Sequence, residues 1–332
     1  MNAINLKHLL LKTVPAKLPV LITGAPGIGK SEIVDQVAKE LNNELIIEHP
    51  VVSDPTDFKG FPFPDKEKNS AEFLPFGSLN QLIHADKPTI YFLDDLGQAP
   101  TLVQAACMQL ILARKVNGHH VSPHVCFIAA TNRQQDRAGV HGLLEPLKSR
   151  FASIVELQFD IESWSQWALA NQIPIEFVMF ARFTPNIFKF KPDPKFINSC
   201  SPRTFVYCSK LYGLKLEEEI EFESYSGSIG EGAATELIAF LKIYRELPNP
   251  DAILMSPDTA DIPKDLSVLY ALCGALGKKA SVNTADRLFH FSNRLPIEFS
   301  IILTREMIRI NPQISNTKSC VEWCVKHSDV QL

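Results

Sequence analysis

Between the apolar run Val20-Leu21-Ile22-Thr23 and the segment Glu32-Ile33-Val34-Asp35-Gln36-Val37-Ala38 stand eight residues, Gly24-Ala25-Pro26-Gly27-Ile28-Gly29-Lys30-Ser31. Nothing else in the 332 residues constrains the fold as tightly. The order reads as strand, loop, helix. Glycines at 24, 27 and 29 let the backbone curl until successive N–H groups point inward, and the following helix adds the positive end of its dipole. An anion fits such a ring. Lys30 is placed to reach the outer groups of a polyphosphate, and the Ser31 hydroxyl to complete the shell of a magnesium ion. The spacing G-x-x-x-x-G-K-[ST] therefore predicts a nucleotide-binding loop made of Gly24, Ala25, Pro26, Gly27, Ile28, Gly29, Lys30 and Ser31.

Such a loop needs a parallel sheet behind it, whose strands are short and nearly continuous in apolar residues. Glu44 to Glu48, Thr89 to Leu93, Val125 to Ala130 and Ser153 to Leu157 fit that description. The run Thr89-Ile90-Tyr91-Phe92-Leu93 ends in Asp94-Asp95, which puts two carboxylates at the carboxyl edge of a buried strand, where ligands bind in open α/β sheets. Val125 to Ala130 ends in Thr131-Asn132-Arg133. There Asn132 fits either an ordinary turn or a group that orients a water beside a terminal phosphate. A short helix is expected near Leu6 to Lys12, a longer one over Leu102 to Leu112, and a hairpin-like turn at Asn117-Gly118.

Between the second and third of these strands lies a segment of another kind. Ser53 to Pro64 and then Phe73 to Gly77 carry five phenylalanines, and the prolines argue against regular ladders. Loops of this length are usually functional. The plainer reading folds each ring down on the core.

From about residue 160 the pattern turns helical. Asp160 reads as a cap for a helix with Trp164, Trp167 and Ala168 on one face, and further helices are expected over 233–245, 266–276, 285–293, 299–310 and 320–327. In Ser201-Pro202-Arg203 the serine reads as an N-cap and the proline as the first helical residue. Arg203 then sits in the first turn, where the dipole disfavours a cation. A nucleotide phosphate, an acidic neighbour or solvent would each resolve that conflict.

The length calls for two domains, an α/β nucleotide-binding core over 1–160 and a helical region over 161–332. A hydrophobic content of 45% and a charged content of 21% exclude a disordered chain. The formal net charge of -4 argues against a dedicated nucleic-acid binder. The first residues lack the pattern of a signal peptide, and no apolar run reaches the length of a membrane span. Seven scattered cysteines suit a reducing cytoplasm. Neither Cys320 with Cys324 nor the trio His119, His120 and His124 has the paired spacing of a zinc module.

These elements in this order resemble the AAA+ ATPases, and more closely the MoxR-like branch, whose members often work with a von Willebrand factor A domain protein. Gly24 to Ser31 resembles the Walker A loop, Leu93-Asp94-Asp95 Walker B, and Asn132 sensor 1. Arg150 in Ser149-Arg150-Phe151 is similar to the arginine finger, and Arg203 to sensor 2. Asp54-Pro55-Thr56-Asp57 with Gly60 and Pro62 resembles the insert of that branch, and Gly232 to Glu236 its lid region. The resemblance implies a P-loop core with a parallel sheet flanked by helices, followed by an all-helical lid. It implies ATP and Mg2+ as cofactors, with Ser31 and Asp94 organising the metal and Asp95, Asn132, Arg150 and Arg203 in catalytic roles. It also implies a self-assembled ring, hexameric in size, that works in the cytoplasm and off the membrane as a chaperone-like machine on a protein partner. Two positions depart from the pattern: the family has Asp-Glu in Walker B, where the second residue here is Asp95, and close relatives usually carry Asn where Gly97 stands. A carboxylate one methylene short can cost on the order of a hundredfold in rate, so slow hydrolysis is expected. Two alternatives stay open, a slow nucleotide-gated assembly switch and a DNA-acting motor or loader.

Overall fold

The computed structural model describes residues 1–65, 70–136, 142–190 and 198–327. The charged stretch 66–69 of the insert and the end of the expected helical region, 328–332, lie outside the described residues. Two compact units are present, one built on Met1–Ser163 with Ser201–Arg203, the other on Trp164–Lys189 and the chain from Thr204 onward.

The elements of the first part of the chain are α1 (Ala3–Thr13), β1 (Val20–Gly24), α2 (Lys30–Glu40), β2 (Glu44–Glu48), α3 (Pro55–Lys59), β3 (Phe61–Asp65), β4 (Ser70–Leu74), α4 (Gly77–His84) and β5 (Thr89–Leu93). Then follow α5 (Thr101–Ala113), β6 (Lys115–Val116), β7 (His119–His120), β8 (Val125–Asn132), α6 (Glu145–Lys148) and β9 (Ser153–Leu157). Five strands form one sheet in the order β2-β5-β8-β1-β9, with every pair parallel. Because strand side chains alternate between faces, the same strands feed two cores. Tyr91, Leu93, Phe127 and Ala129 face a layer containing Leu79, Leu82, Val103, Ala106 and Leu110 from α4 and α5. Ile90, Phe92, Ile128 and Ala130 face Leu6, Leu10, Ile33, Val34 and Val37 from α1 and α2.

The register staggers the strand ends. Leu93, the last residue of β5, lies opposite Ala129, whereas Gly24, the last of β1, lies opposite Asn132. Thus β8 runs three residues past the end of β5, and the carboxyl edge of the sheet is stepped.

The insert corrects an expectation. Its prolines do not prevent a ladder: β3 and β4 pair antiparallel, with Phe61 opposite Leu74 and Asp65 opposite Ser70. Pro62 and Pro64 fall two residues apart. In an antiparallel pair alternate residues point their N–H away from the partner, so both prolines occupy positions where no ladder donor is needed. Gly60, at φ +85, closes the base of the hairpin, and a Cβ there would lie 2.8 Å from the Leu74 carbonyl oxygen. The aromatic rings divide. Phe58 is fully buried in the core, whereas Phe61, Phe63, Phe73 and Phe76 are 59%, 57%, 37% and 40% exposed. Folding down on the core therefore describes Phe58 alone.

The rest of the chain is helical: α7 (Ile161–Ala170), α8 (Ile175–Phe183), α9 (Pro202–Gly213), α10 (Glu218–Ile229), α11 (Glu231–Arg245), α12 (Pro250–Met255), α13 (Leu266–Gly277), α14 (Ala285–Ser292), α15 (Ile297–Ile310) and α16 (Lys318–Lys326). Among the described residues it contains no strand. Phe205 gathers the rings of Trp164, Phe177, Phe180 and Phe188 at centroid distances of 5.2 to 6.1 Å. A second core holds Leu272, Leu276, Leu288, Leu303 and Trp323. Polar groups are buried here in pairs. Glu306 meets Arg182 and Arg309, and Ser300 accepts from the Trp323 indole N–H at 2.9 Å while bonding Ser292 at 2.8 Å. Among the described residues no helix is long and apolar enough to cross a membrane.

Candidate active site

The loop leaves β1 at Gly24, where the lack of a side chain lets the Leu157 carbonyl come within 3.0 Å of where a Cβ would stand. Gly27 and Gly29 take φ of +70° and +103°, the left-handed region that glycine enters without steric cost. A Cβ on Gly27 would also lie 2.6 Å from the Ser201 hydroxyl. The Arg203 N–H donates to the Gly27 carbonyl at 3.1 Å, so the first turn of α9 is bonded to the loop.

Lys30 opens α2. Its ammonium donates to the carbonyls of Gly24 at 3.0 Å and Ala25 at 3.1 Å, and to Asn132 Oδ1 at 2.7 Å. Burial pushes this lysine down to about 8, while Asp94 and then Asp95 pull it back up and Arg203 adds to the fall. The Ser31 hydroxyl donates to Asp94 Oδ2 at 2.6 Å. Asp94 Oδ1 accepts from the Asp95 N–H at 3.0 Å, and the Asp94 N–H donates to the Glu48 carbonyl at 2.9 Å. Asp95 itself stands at φ +57° and ψ +32°, a left-handed conformation that Asp tolerates better than most side chains do. Its Oδ1 accepts from Gln98 Nε2 at 2.8 Å and from Asn132 Nδ2 at 3.2 Å. Asn132 thus turns its oxygen to Lys30 and its amide to Asp95, and that pair of partners fixes its orientation. Immediately beyond, Arg133 forks onto buried Asp136 at 2.8 and 2.9 Å and reaches Glu156 at 3.2 Å, which anchors the end of β8.

One open cleft is lined by loop residues 26–31 together with Asp94, Asp95, Asn132 and Arg203. Gly24 and Ala25 contribute through the carbonyls that hold Lys30. Asn132 is therefore a cleft residue, not a remote turn, and Arg203 has the cleft on its side of the helix end. The structure does not bring Arg150 into this cleft. It follows α6 with its Nη1 3.4 Å from the Ser149 hydroxyl and its Nε buried.

The oxygen donors suit a hard cation. Mg2+ keeps several waters and takes one or two protein oxygens beside substrate phosphates, which the hydroxyl of Ser31 and the carboxylate of Asp94 can supply. The loop amides, Lys30 and Arg203 provide positive charge for an anion, and Asp95 with Asn132 offers an acceptor and a donor to a water. Two residues escaped the sequence reading. Gln98 holds Asp95, and its only signal was its place three residues on, in the tight turn Leu96–Gln98. Ser201 reads as a cap in the sequence, and only the folded chain shows it against Gly27.

Residues 19–151 match the family of AAA domains, dynein-related subfamily. No curated protein matches the sequence. Among solved structures the chain is similar to a point mutant of Thermotoga maritima RuvB, at 18% identity over 83% of each chain with a TM-score of 0.44. It is also similar to the Thermotoga maritima RuvB Holliday junction branch migration motor, at 16% identity over 83% of this chain and 80% of that one, TM-score 0.43. NtrX from Brucella abortus in complex with ADP shows 14% identity over 99% of this chain and 68% of its own, TM-score 0.35. The family match spans the loop, Asp94, Asp95 and Asn132, which follow strands to the carboxyl edge of the sheet, and Arg150, which precedes β9. Residues 19–151 thus match the AAA domain, and they carry most of the parallel sheet and cleft of the first unit.

Proposed function

We propose that this chain is an ATP-hydrolysing, ring-forming machine of the MoxR-like branch that works in the cytoplasm and uses turnover to remodel or activate a protein partner. The convergence of Lys30, Ser31, Asp94, Asp95, Asn132 and Arg203, from four separated segments, on one cleft supports the reading. The loop amides, Lys30 and Arg203 hold the phosphates. Ser31 and Asp94 hold Mg2+, which supplies charge neutralisation at the phosphate oxygens when bound. Asp95 and Asn132 orient a water in line with the terminal phosphate, and Asp95 accepts its proton. Arg150, outside its own cleft, acts on the nucleotide of a neighbouring subunit, so the ring, a hexamer by resemblance, is the active form. Arg203 carries the nucleotide state to the helical region. The exposed rings of the insert meet the partner, for which a von Willebrand factor A domain protein is the class that the resemblance implies.

ATPase activity per chain, measured against protein concentration, tests this. It should rise with concentration, and Arg150→Ala should lower it by about 10³- to 10⁵-fold. Activity strictly proportional to protein down to a monomer sinks the ring. A second reading, a slow nucleotide-gated switch, is favoured by one observation: Asp95 is short, left-handed and already held by Gln98 and Asn132. Turnover of Asp95→Glu decides. A large gain makes the native protein a slow switch, and a loss means the site is built around Asp.

A further inference from the structure

We propose that Gln104 is a positioning residue that fixes where Arg150 stands, by tying the chain that leads into it to the turn that carries Asp95. The proposal rests on the reading in which Arg150 acts on a neighbour's nucleotide, and it names what holds that arginine in place. Gln104 lies on α5, 2% exposed, on the side of the helix that also buries Cys107 and Ile111. Such a position takes an apolar side chain unless a polar one answers backbone groups that burial would otherwise orphan. Its amide makes three bonds, all to backbone. Nε2 donates to the Ala99 carbonyl at 3.1 Å and to the Gly142 carbonyl at 3.0 Å, and Oε1 accepts from the Leu144 N–H at 3.1 Å. Both amide hydrogens are thus used, one on the chain just after Asp95 and one on the chain just before Arg150.

The two sides of this bridge differ. Leu96, Ala99 and Val103 are buried in one core, and the turn between Asp95 and Ala99 is closed by the Gln98 N–H on the Asp95 carbonyl at 3.0 Å and the Ala99 N–H on the Leu96 carbonyl at 3.2 Å. That side is fixed. The other side is α6, a single turn, and one turn of helix has little stability of its own. Leu144 stands at its N-cap with no side chain capping it, so the bond from its N–H to Gln104 anchors the start. The Leu144 carbonyl accepts from the N–H groups of Leu147 at 2.9 Å and Lys148 at 3.2 Å, and the Leu147 carbonyl accepts from the Arg150 N–H at 3.0 Å. Leu147 packs in the same core, and beyond Arg150 the Ala152 N–H donates to the Pro19 carbonyl at 2.8 Å. The arginine side chain does not settle its own place: Nη1 lies 3.4 Å from the Ser149 hydroxyl, and Nε is buried without an acceptor among the described residues. Backbone anchors therefore decide where the guanidinium stands. Misplacing a catalytic group by about 1 Å can cost on the order of a hundredfold, so loss of this amide reaches the chemistry through Arg150 and spares the groups that hold the phosphates.

The test uses the full chain at concentrations where turnover per chain no longer rises, with ATPase kinetics and titration with a fluorescent ATP analogue. Gln104→Met, which keeps the length of the side chain and removes all three bonds, should lower kcat by about 10- to 100-fold, with analogue affinity held within about threefold. Combined with Arg150→Ala it should add less than about twofold to the loss from Arg150→Ala alone, because both act at one point. Gln104→Asn, which keeps the amide on a stem one methylene shorter, should lower kcat less steeply with the same non-additivity, and serves if Gln104→Met fails to fold. A folded Gln104 variant that turns over like the native protein, or a loss that appears in analogue affinity or multiplies with that of Arg150→Ala, overturns the positioning role and leaves the reading of Arg150 intact. Native turnover in Arg150→Ala overturns that reading, and the positioning role with it.

Discussion

The phosphate cleft and the buried polar groups of the helical unit are made from the same kinds of residue and arranged to opposite ends. In the cleft Lys30, 7% exposed, is held from one side by two loop carbonyls and Asn132. Asp94 and Asp95 likewise keep bonds to neighbours while lining an opening. In the helical unit Glu306, 1% exposed, meets Arg182 and Arg309, and Ser292, Ser300 and Trp323 satisfy one another. Polar groups that converge on an opening carry a desolvation cost that a ligand can offset. Those that close on each other specify how helices pack, and their removal is felt in stability alone.

This contrast can be broken in either region. Glu306→Ala leaves two arginines without their buried anion and should cost about 3–5 kcal/mol in urea unfolding. The folded fraction should bind the ATP analogue as the native chain does. A small stability loss would show that the helical cluster does not hold its helices together. Lys30→Ala should cut turnover by about 10²- to 10³-fold on the proposed reading, in which this charge meets the reacting phosphate. Its melting temperature should hold or rise, because a cation depressed to about 8 by burial is gone. A clear fall in melting temperature would make Lys30 structural. Ser300→Ala strands the Trp323 indole N–H and should cost about 1–3 kcal/mol with no effect on ATPase kinetics. Smallest is Gly27→Ala, where a left-handed φ of +70° and the nearby Ser201 hydroxyl call for a loss of about 1–2 kcal/mol. Here the loss should appear in analogue affinity as well as stability, because the same glycine shapes the cleft.

Much of the first unit was legible because local chemistry and global role coincide there. Glu44 to Glu48 and Ser153 to Leu157 have the expected limits, as apolar runs bounded by polar residues. Asp94, Asp95 and Asn132 follow core strands directly, so their place at the sheet edge follows from the strands. The hairpin was hidden because proline is read as a ladder breaker, and only the pairing register shows that Pro62 and Pro64 face away from the ladder. In α8 six of nine residues are buried, so no polar face marks its period, and α10 is acidic enough to pass for a solvated turn. Glu48 gave no signal at all. Ser78 and Asp94 come near it only in the folded chain, Ser53 stands five residues on with nothing to mark it, and a Glu at a strand end is unremarkable in sequence.

The stepped edge of the sheet sets a dimension that no side chain chooses. Three residues of stagger between the end of β5 and the end of β1 correspond to roughly 10 Å of strand. That rise separates the floor, where Asp94 and Asp95 emerge, from the shelf formed by Gly24 and Asn132. Its height is written in hydrogen-bond register, and a slip by one residue would turn Asn132 to the opposite face of the sheet. Side-chain changes along this edge therefore leave the height of the step untouched, because hydrogen-bond register in the backbone fixes it.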